Sequence, residues 1–100
     1  MSWANSYIEA LILGETVQFR PKGNSMTPLI KSGDLVTVAP ICCPIKKGDI
    51  VLCKVNGRQY LHLVKAVRND RVCLIGNNHG RINGWSSDIY GKVIRHESTI

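Results

Sequence analysis

Residues 50–67 read IVLCKVNGRQYLHLVKAV, two β-favouring runs joined by Asn56-Gly57. A two-residue type I′ turn needs a positive φ at both central positions, and Asn-Gly tolerates this, so an antiparallel hairpin of residues 50–55 and 59–67 is expected. On either side, further short β-favouring runs occupy residues 16–20, 35–39, 71–75 and 89–95. Turn signals at Ser32-Gly33-Asp34, Lys47-Gly48-Asp49 and Asn69-Asp70 mark corners between them. Ahead of the first run, Trp3, Tyr7, Ile8, Leu11 and Ile12 recur at helical spacing and Gly14 follows, which predicts a short amphipathic helix over residues 3–13 packed on the core. The fold class expected is mainly β: five to seven short antiparallel strands with one short N-terminal helix. Residues 76–88, GNNHGRINGWSSD, are expected to form a long polar loop of the kind that carries function.

One hundred residues, 44% hydrophobic and 20% charged, describe an ordinary globular domain. The division expected is a helix in 1–15, a β core in 16–95 and a tail in 96–100. The net charge of +6 comes from basic residues scattered along the chain, with Lys46-Lys47 the only adjacent pair. That pattern reads as a solvated basic surface, and nucleic acid is not an expected partner. No stretch reaches the roughly 18 apolar residues of a membrane helix, and no secretory signal is legible, so a cytoplasmic protein is expected. Peripheral membrane association through the Trp3 helix stays open. The cysteines at 42, 43, 53 and 73 show no zinc-type spacing and read as reduced, mostly buried small hydrophobes. No metal or cofactor is expected.

Gly23-Asn24-Ser25-Met26-Thr27-Pro28 follows a predicted strand, and Pro28 suits the first turn of a short helix. Ser25 is then expected at a strand-to-helix corner, its hydroxyl clear of the sheet and backbone N–H groups converging beside it. The order of segments GNSMTP, GDLVTV, KGDIVLCKV, YLHLVKAV, IGNN and IYGKV, over residues 19–94, resembles the signal peptidase I and LexA-type repressor superfamily of serine proteases. The resemblance implies a coiled antiparallel β fold and cleavage of peptide bonds by a serine. The general base in that superfamily is usually a lysine, and a histidine in the endoplasmic-reticulum and archaeal signal peptidases. By this resemblance Ser25 takes the nucleophile position.

Two residues compete for the base. Laid on the superfamily's tyrosine-apolar-base pattern, Tyr60-Leu61-His62 puts His62 in the base position, 37 residues after Ser25. Lys65 falls three residues too late, and strand alternation turns it to the opposite face from Tyr60, His62 and Val64. An imidazole of ordinary pKa near 6.5 is largely neutral at pH 7, whereas a lysine must be pushed down several units. Histidine-type relatives carry Gly-Asp-Asn where this chain has Gly76-Asn77-Asn78, so the aspartate is replaced by an amide. Asn77 can orient the imidazole, and Asp88, near a second acidic position of those relatives, is the expected third member. His79 is a lesser candidate.

The oxyanion hole is expected from the Ser25 N–H and the Gly23-Asn24 turn, with Met26 lining the adjacent groove or core. The resemblance implies a polypeptide substrate bound as an extended strand. Twenty-four residues precede Ser25, and neither a membrane span nor a repressor's DNA-binding domain and self-cleavage site is legible in them. A compact, stand-alone serine endopeptidase acting in trans is therefore expected. The alternative is a catalytically weak binding or regulatory module of the same superfamily, and a homodimer stays open for either.

Overall fold

The computed structural model describes residues 3–69 and 72–98. Its elements run α1 (Asn5–Ile12), β1 (Val17–Phe19), β2 (Leu35–Pro40), β3 (Ile50–Val55), β4 (Arg58–Arg68), β5 (Val72–Gly76), β6 (Ile82–Ser86) and β7 (Asp88–Glu97). The seven strands form one sheet in the order β1-β2-β7-β3-β4-β5-β6, and every neighbouring pair is antiparallel. The mainly β expectation with one N-terminal helix holds. Arg71 and Asp70, assigned above to a strand start and a corner, lie outside the described residues, as do the last two residues of the tail.

The hairpin of β3 and β4 is the centre of the sheet, and its turn is the expected one: Asn56 has φ +52 and Gly57 φ +81. Its register pairs Val55 with Arg58, Cys53 with Tyr60 and Val51 with His62. Side chains therefore divide between two cores. One face packs Leu52, Leu61 and Leu63 with Val36, Val38 and Phe19 beneath α1, and the other packs Val51, Cys53, Val55, Val64, Cys73 and Ile75. The second core is closed because the sheet curls. Bulge-type register shifts between Val64 and Ala66 and between Ile75 and Gly76 sharpen the local twist. They bring edge strand β6 back against β3, where the Ser86 hydroxyl donates to the Lys54 carbonyl.

Helix α1 is shorter than expected and stops at a Schellman motif, with Gly14 at φ +89, Gly14 N donating to Leu11 O and Glu15 N to Ala10 O. Ala4, Ile8 and Leu11 form its buried stripe, while Ile12, expected in the core, lies past the edge of that stripe and is 68% exposed. Two further corrections concern the polar segments. Residues 76–88 are not all loop, since β6 occupies their centre. Nor do all the cysteines lie inside: Cys53 and Cys73 are buried, but Cys42 and Cys43 sit exposed in the β2–β3 connection.

Gly91 on β7 lies where a helix side chain, Leu11, packs close against the sheet backbone. A Cβ there would lie 2.7 Å from Val38 Cγ1, 2.9 Å from the Ala39 carbonyl oxygen and 2.9 Å from Leu11 Cδ1. Because a backbone oxygen cannot swing aside, Gly91→Ala is expected to destabilise the fold by about 1–3 kcal/mol in denaturant unfolding. Gly48→Ala tests the other contribution of glycine: φ +97 with open space around the Cβ position confines its cost to backbone strain.

Candidate active site

Ser25 reaches the site on a turn. The short helix expected after Pro28 does not form: residues 25–29 are turns, the Thr27–Pro28 peptide is cis, and the turns are closed by Thr27 N to Asn24 O and Ile30 N to Met26 O. A helix would pair the Ser25 carbonyl with the backbone four residues on. Instead that carbonyl accepts from Asn78 N at 2.9 Å, and the Thr27 carbonyl accepts from Asn78 Nδ2 at 2.9 Å. His79 completes the clamp, with Nε2 3.0 Å from Asn24 O and 2.9 Å from Thr27 Oγ1. The 77–79 segment thus grips the turn on both sides of Ser25.

His62 arrives from the centre of β4, carried by the register with β3. It is 9% exposed and stacked against Tyr60, with ring centroids 4.8 Å apart. Its Nε2 lies 3.2 Å from Ser25 Oγ, and its Nδ1 lies 2.7 Å from Asn83 Oδ1. An amide oxygen only accepts, so Nδ1–H donates to Asn83 and Nε2 keeps its lone pair toward the serine hydroxyl. Burial pushes the His62 pKa below 6.5, with the Asn83 hydrogen bond opposing in part. Burial thus favours the neutral ring, and the Asn83 contact holds it in the tautomer that leaves Nε2 as an acceptor toward Ser25.

The side chain at His62 Nδ1 is Asn83 and not Asp88, the residue expected there. Asp88 opens β7, where the register sets it opposite Lys54 with β3 between it and β4, and its backbone N–H donates to Ser86 Oγ. Asn77 is engaged elsewhere: its Oδ1 accepts from the N–H groups of His79 at 2.8 Å and Arg81 at 3.0 Å, which closes the 77–81 turn. Asn83 reaches the ring from β6, and Gly84 lets that strand lie close to β3. Gly84 has φ +135, and a Cβ on it would stand 3.3 Å from Val55. The sequence signal for Asn83 is slight, a polar residue inside a segment read as loop. Lys65 sits at the β4 bulge, its Cε near Gly76, and unlike His62 it does not line the cleft that contains Ser25.

The Ser25 N–H donates to no acceptor among the described residues, whereas the Gly23 N–H contacts Ser32 Oγ at 3.4 Å. Beside the pair opens a cleft of about 490 Å³ bounded by residues 20–26 on one side and 59–62 on the other, with Met26, 4% exposed, in its floor. Across the sheet β4 pairs with β3 from Arg58 onward, but with β5 only from Leu63 onward. Among the described residues, 58–62 therefore have no strand partner on the side that β5 covers further along. The buried thiol of Cys53, its pKa pushed up to about 12 mainly by burial, stays protonated. No helix among the described residues is long and apolar enough to cross a membrane, and none of their His, Cys, Asp and Glu side chains cluster as a metal site.

Two substitutions test this geometry directly. By NMR titration the His62 pKa is expected below 6.5 in the wild type, and Asn83→Asp is expected to raise it by about one unit or more, because an adjacent carboxylate favours the imidazolium. An unchanged value in the variant would show that residue 83 does not hold the ring. Asn78→Ala, which removes the side-chain tie to the Thr27 carbonyl, is expected to increase exchange broadening or mobility of residues 24–27 while leaving β3 and β4 intact.

No curated protein matches the chain. The model of the Peptidase S24-like family matches residues 6–94, a span that begins in α1, takes in the Ser25 turn, β4 and β6, and ends within β7. A match over this much of the chain, on a mainly antiparallel β fold, establishes that the chain belongs to the Peptidase S24-like family.

Proposed function

We propose that this protein is a serine-type endopeptidase of the histidine-base kind, with Ser25 as nucleophile, His62 as general base and Asn83 as the residue that orients the base. The observation that carries this reading is the 3.2 Å contact between Ser25 Oγ and a His62 Nε2 whose other nitrogen is already held. In the reaction, Nε2 takes the hydroxyl proton as Oγ attacks the scissile carbonyl carbon. The resulting imidazolium returns the proton to the departing amine, and water then releases the acyl group by the reverse exchange. The Ser25 N–H, free of protein acceptors among the described residues, supports a role in stabilising the oxyanion. The substrate is a polypeptide in extended form, and the unpaired edge of residues 58–62 supports its addition as a strand.

Asn83 sets the tautomer but brings no negative charge, so the imidazolium is less stabilised than beside a carboxylate. The sign of the pH dependence follows. Activity needs neutral His62, and burial lowers its pKa from the ordinary imidazole value, so kcat/KM on a peptide library is expected to fall with acidification at a lower pH than an ordinary histidine would give, and to change little between about pH 8 and 7. A base with lysine-like titration would instead lose activity from the alkaline side downward. Ser25→Ala and His62→Ala are each expected to reduce hydrolysis by at least about 10³-fold. Full activity in either variant would remove that residue from its role, and peptide binding without hydrolysis in the wild type would favour the binding-module alternative.

A further inference from the structure

The cleft beside Ser25 has two properties that catalysis does not explain. Its wall away from the serine is aromatic: Tyr7 and Phe19 stack at 4.5 Å with an interplanar angle of 21°, and Trp3 meets Phe19 edge-on at 5.6 Å. Met26 and Ile30, both nearly fully buried, continue this apolar surface into the floor. Phe19 is covered, but Trp3 remains 50% exposed, so the cluster presents an uncovered ring to the cleft it lines. Aromatic surface of this kind gains from an apolar partner set against it.

The second property is charge. Arg20, Lys22 and Lys31 line the same cleft, and no aspartate or glutamate among the described residues does. Neither lysine is in an ion pair among the described residues, where the salt bridges are Lys92–Asp49 and Arg95–Glu97. The nearby Asp34 carboxylate is buried and committed to the Lys31 backbone N–H at 2.9 Å. Arg20 donates from Nη1 to the Gly33 carbonyl at 2.8 Å, which steadies a positive charge at the rim. Same-sign charges around a concavity focus the field within it and favour an anionic occupant.

We propose that the cleft selects a peptide segment in which a bulky apolar side chain is flanked by acidic residues, the apolar group against Trp3 and Tyr7 and the carboxylates toward Lys22, Lys31 and Arg20. This rests on the peptidase reading for its location but concerns recognition, which can be measured without chemistry. A peptide fits better than a nucleic acid because the cleft also borders the unpaired backbone edge of residues 58–62, a surface that pairs with another extended backbone.

The test uses the Ser25→Ala protein and four fluorescent decapeptides with a central Leu or Ala flanked by Glu or Lys, read by anisotropy at two salt concentrations. The Leu peptide with Glu flanks is expected to bind at least tenfold more tightly than any of the other three, and more weakly at higher salt. Lys22→Glu combined with Lys31→Glu is expected to reverse the preference for Glu over Lys. Trp3→Ala is expected to reduce the preference for Leu over Ala and leave the charge preference in place. Equal binding of the four peptides, or tighter binding of a single-stranded decanucleotide than of the Leu-Glu peptide, would overturn the proposal. The expected binding preference without any hydrolysis by the wild-type protein would support the recognition and remove the peptidase reading. Hydrolysis by the wild type with equal kcat/KM for all four would do the opposite.

Discussion

A hydrogen bond of 3.2 Å between Ser25 and His62 joins two parts of the fold that have no local reason to meet. His62 is placed by the β3–β4 register, since a slip of one residue would send its ring to the other face and into the core beneath α1. Ser25 is placed by side-chain and backbone donors of the 77–79 segment, which bind carbonyls at positions 24, 25 and 27. That segment itself hangs between β5 and β6. The curl of the sheet at the Ile75–Gly76 shift thus serves both partners: it directs the clamp to the serine turn and delivers Asn83 to the histidine.

The electrostatic character of the centre follows from what surrounds the imidazole. Burial disfavours its charged form, and the neutral amide of Asn83 offsets this only in part, through one hydrogen bond. A carboxylate in that position would make a stronger base at the cost of partial protonation near neutrality. The observed arrangement favours the neutral ring, and in the proposed reaction the demand falls on the transition state, where no carboxylate among the described residues is hydrogen-bonded to the imidazolium. The positive charges at the cleft rim, from Arg20, Lys22 and Lys31, deepen that demand unless the occupant brings negative charge of its own.

The central hairpin was legible because Asn56-Gly57 dictates its turn and the flanking runs are long enough to declare themselves. Ser25 and His62 were singled out from a family pattern together with strand alternation, and the structure sets them side by side. Asn83 was not legible for a physical reason: INGWS has neither alternation nor β-branched enrichment beyond Ile82, and its strand state depends on pairing with β5 after the curl. Asp88 and Asn77, the residues the family pattern points to beside the base, lie across β3 and inside a turn of their own. Pro28 is compatible with a first helical turn, so the sequence alone points to a helix where residues 25–29 form turns. What decides against it is competition for carbonyls by Asn78, a residue 51 positions from Thr27.

The most direct test of the central claim is site-resolved mass spectrometry after treatment with a small fluorophosphonate, which reports whether a serine is activated without requiring knowledge of the substrate. The account predicts a single adduct on Ser25, formed at neutral pH and lost both in His62→Ala and on unfolding. Absence of any adduct on Ser25, or labelling of Ser25 at the same rate in His62→Ala as in the wild type, would contradict it.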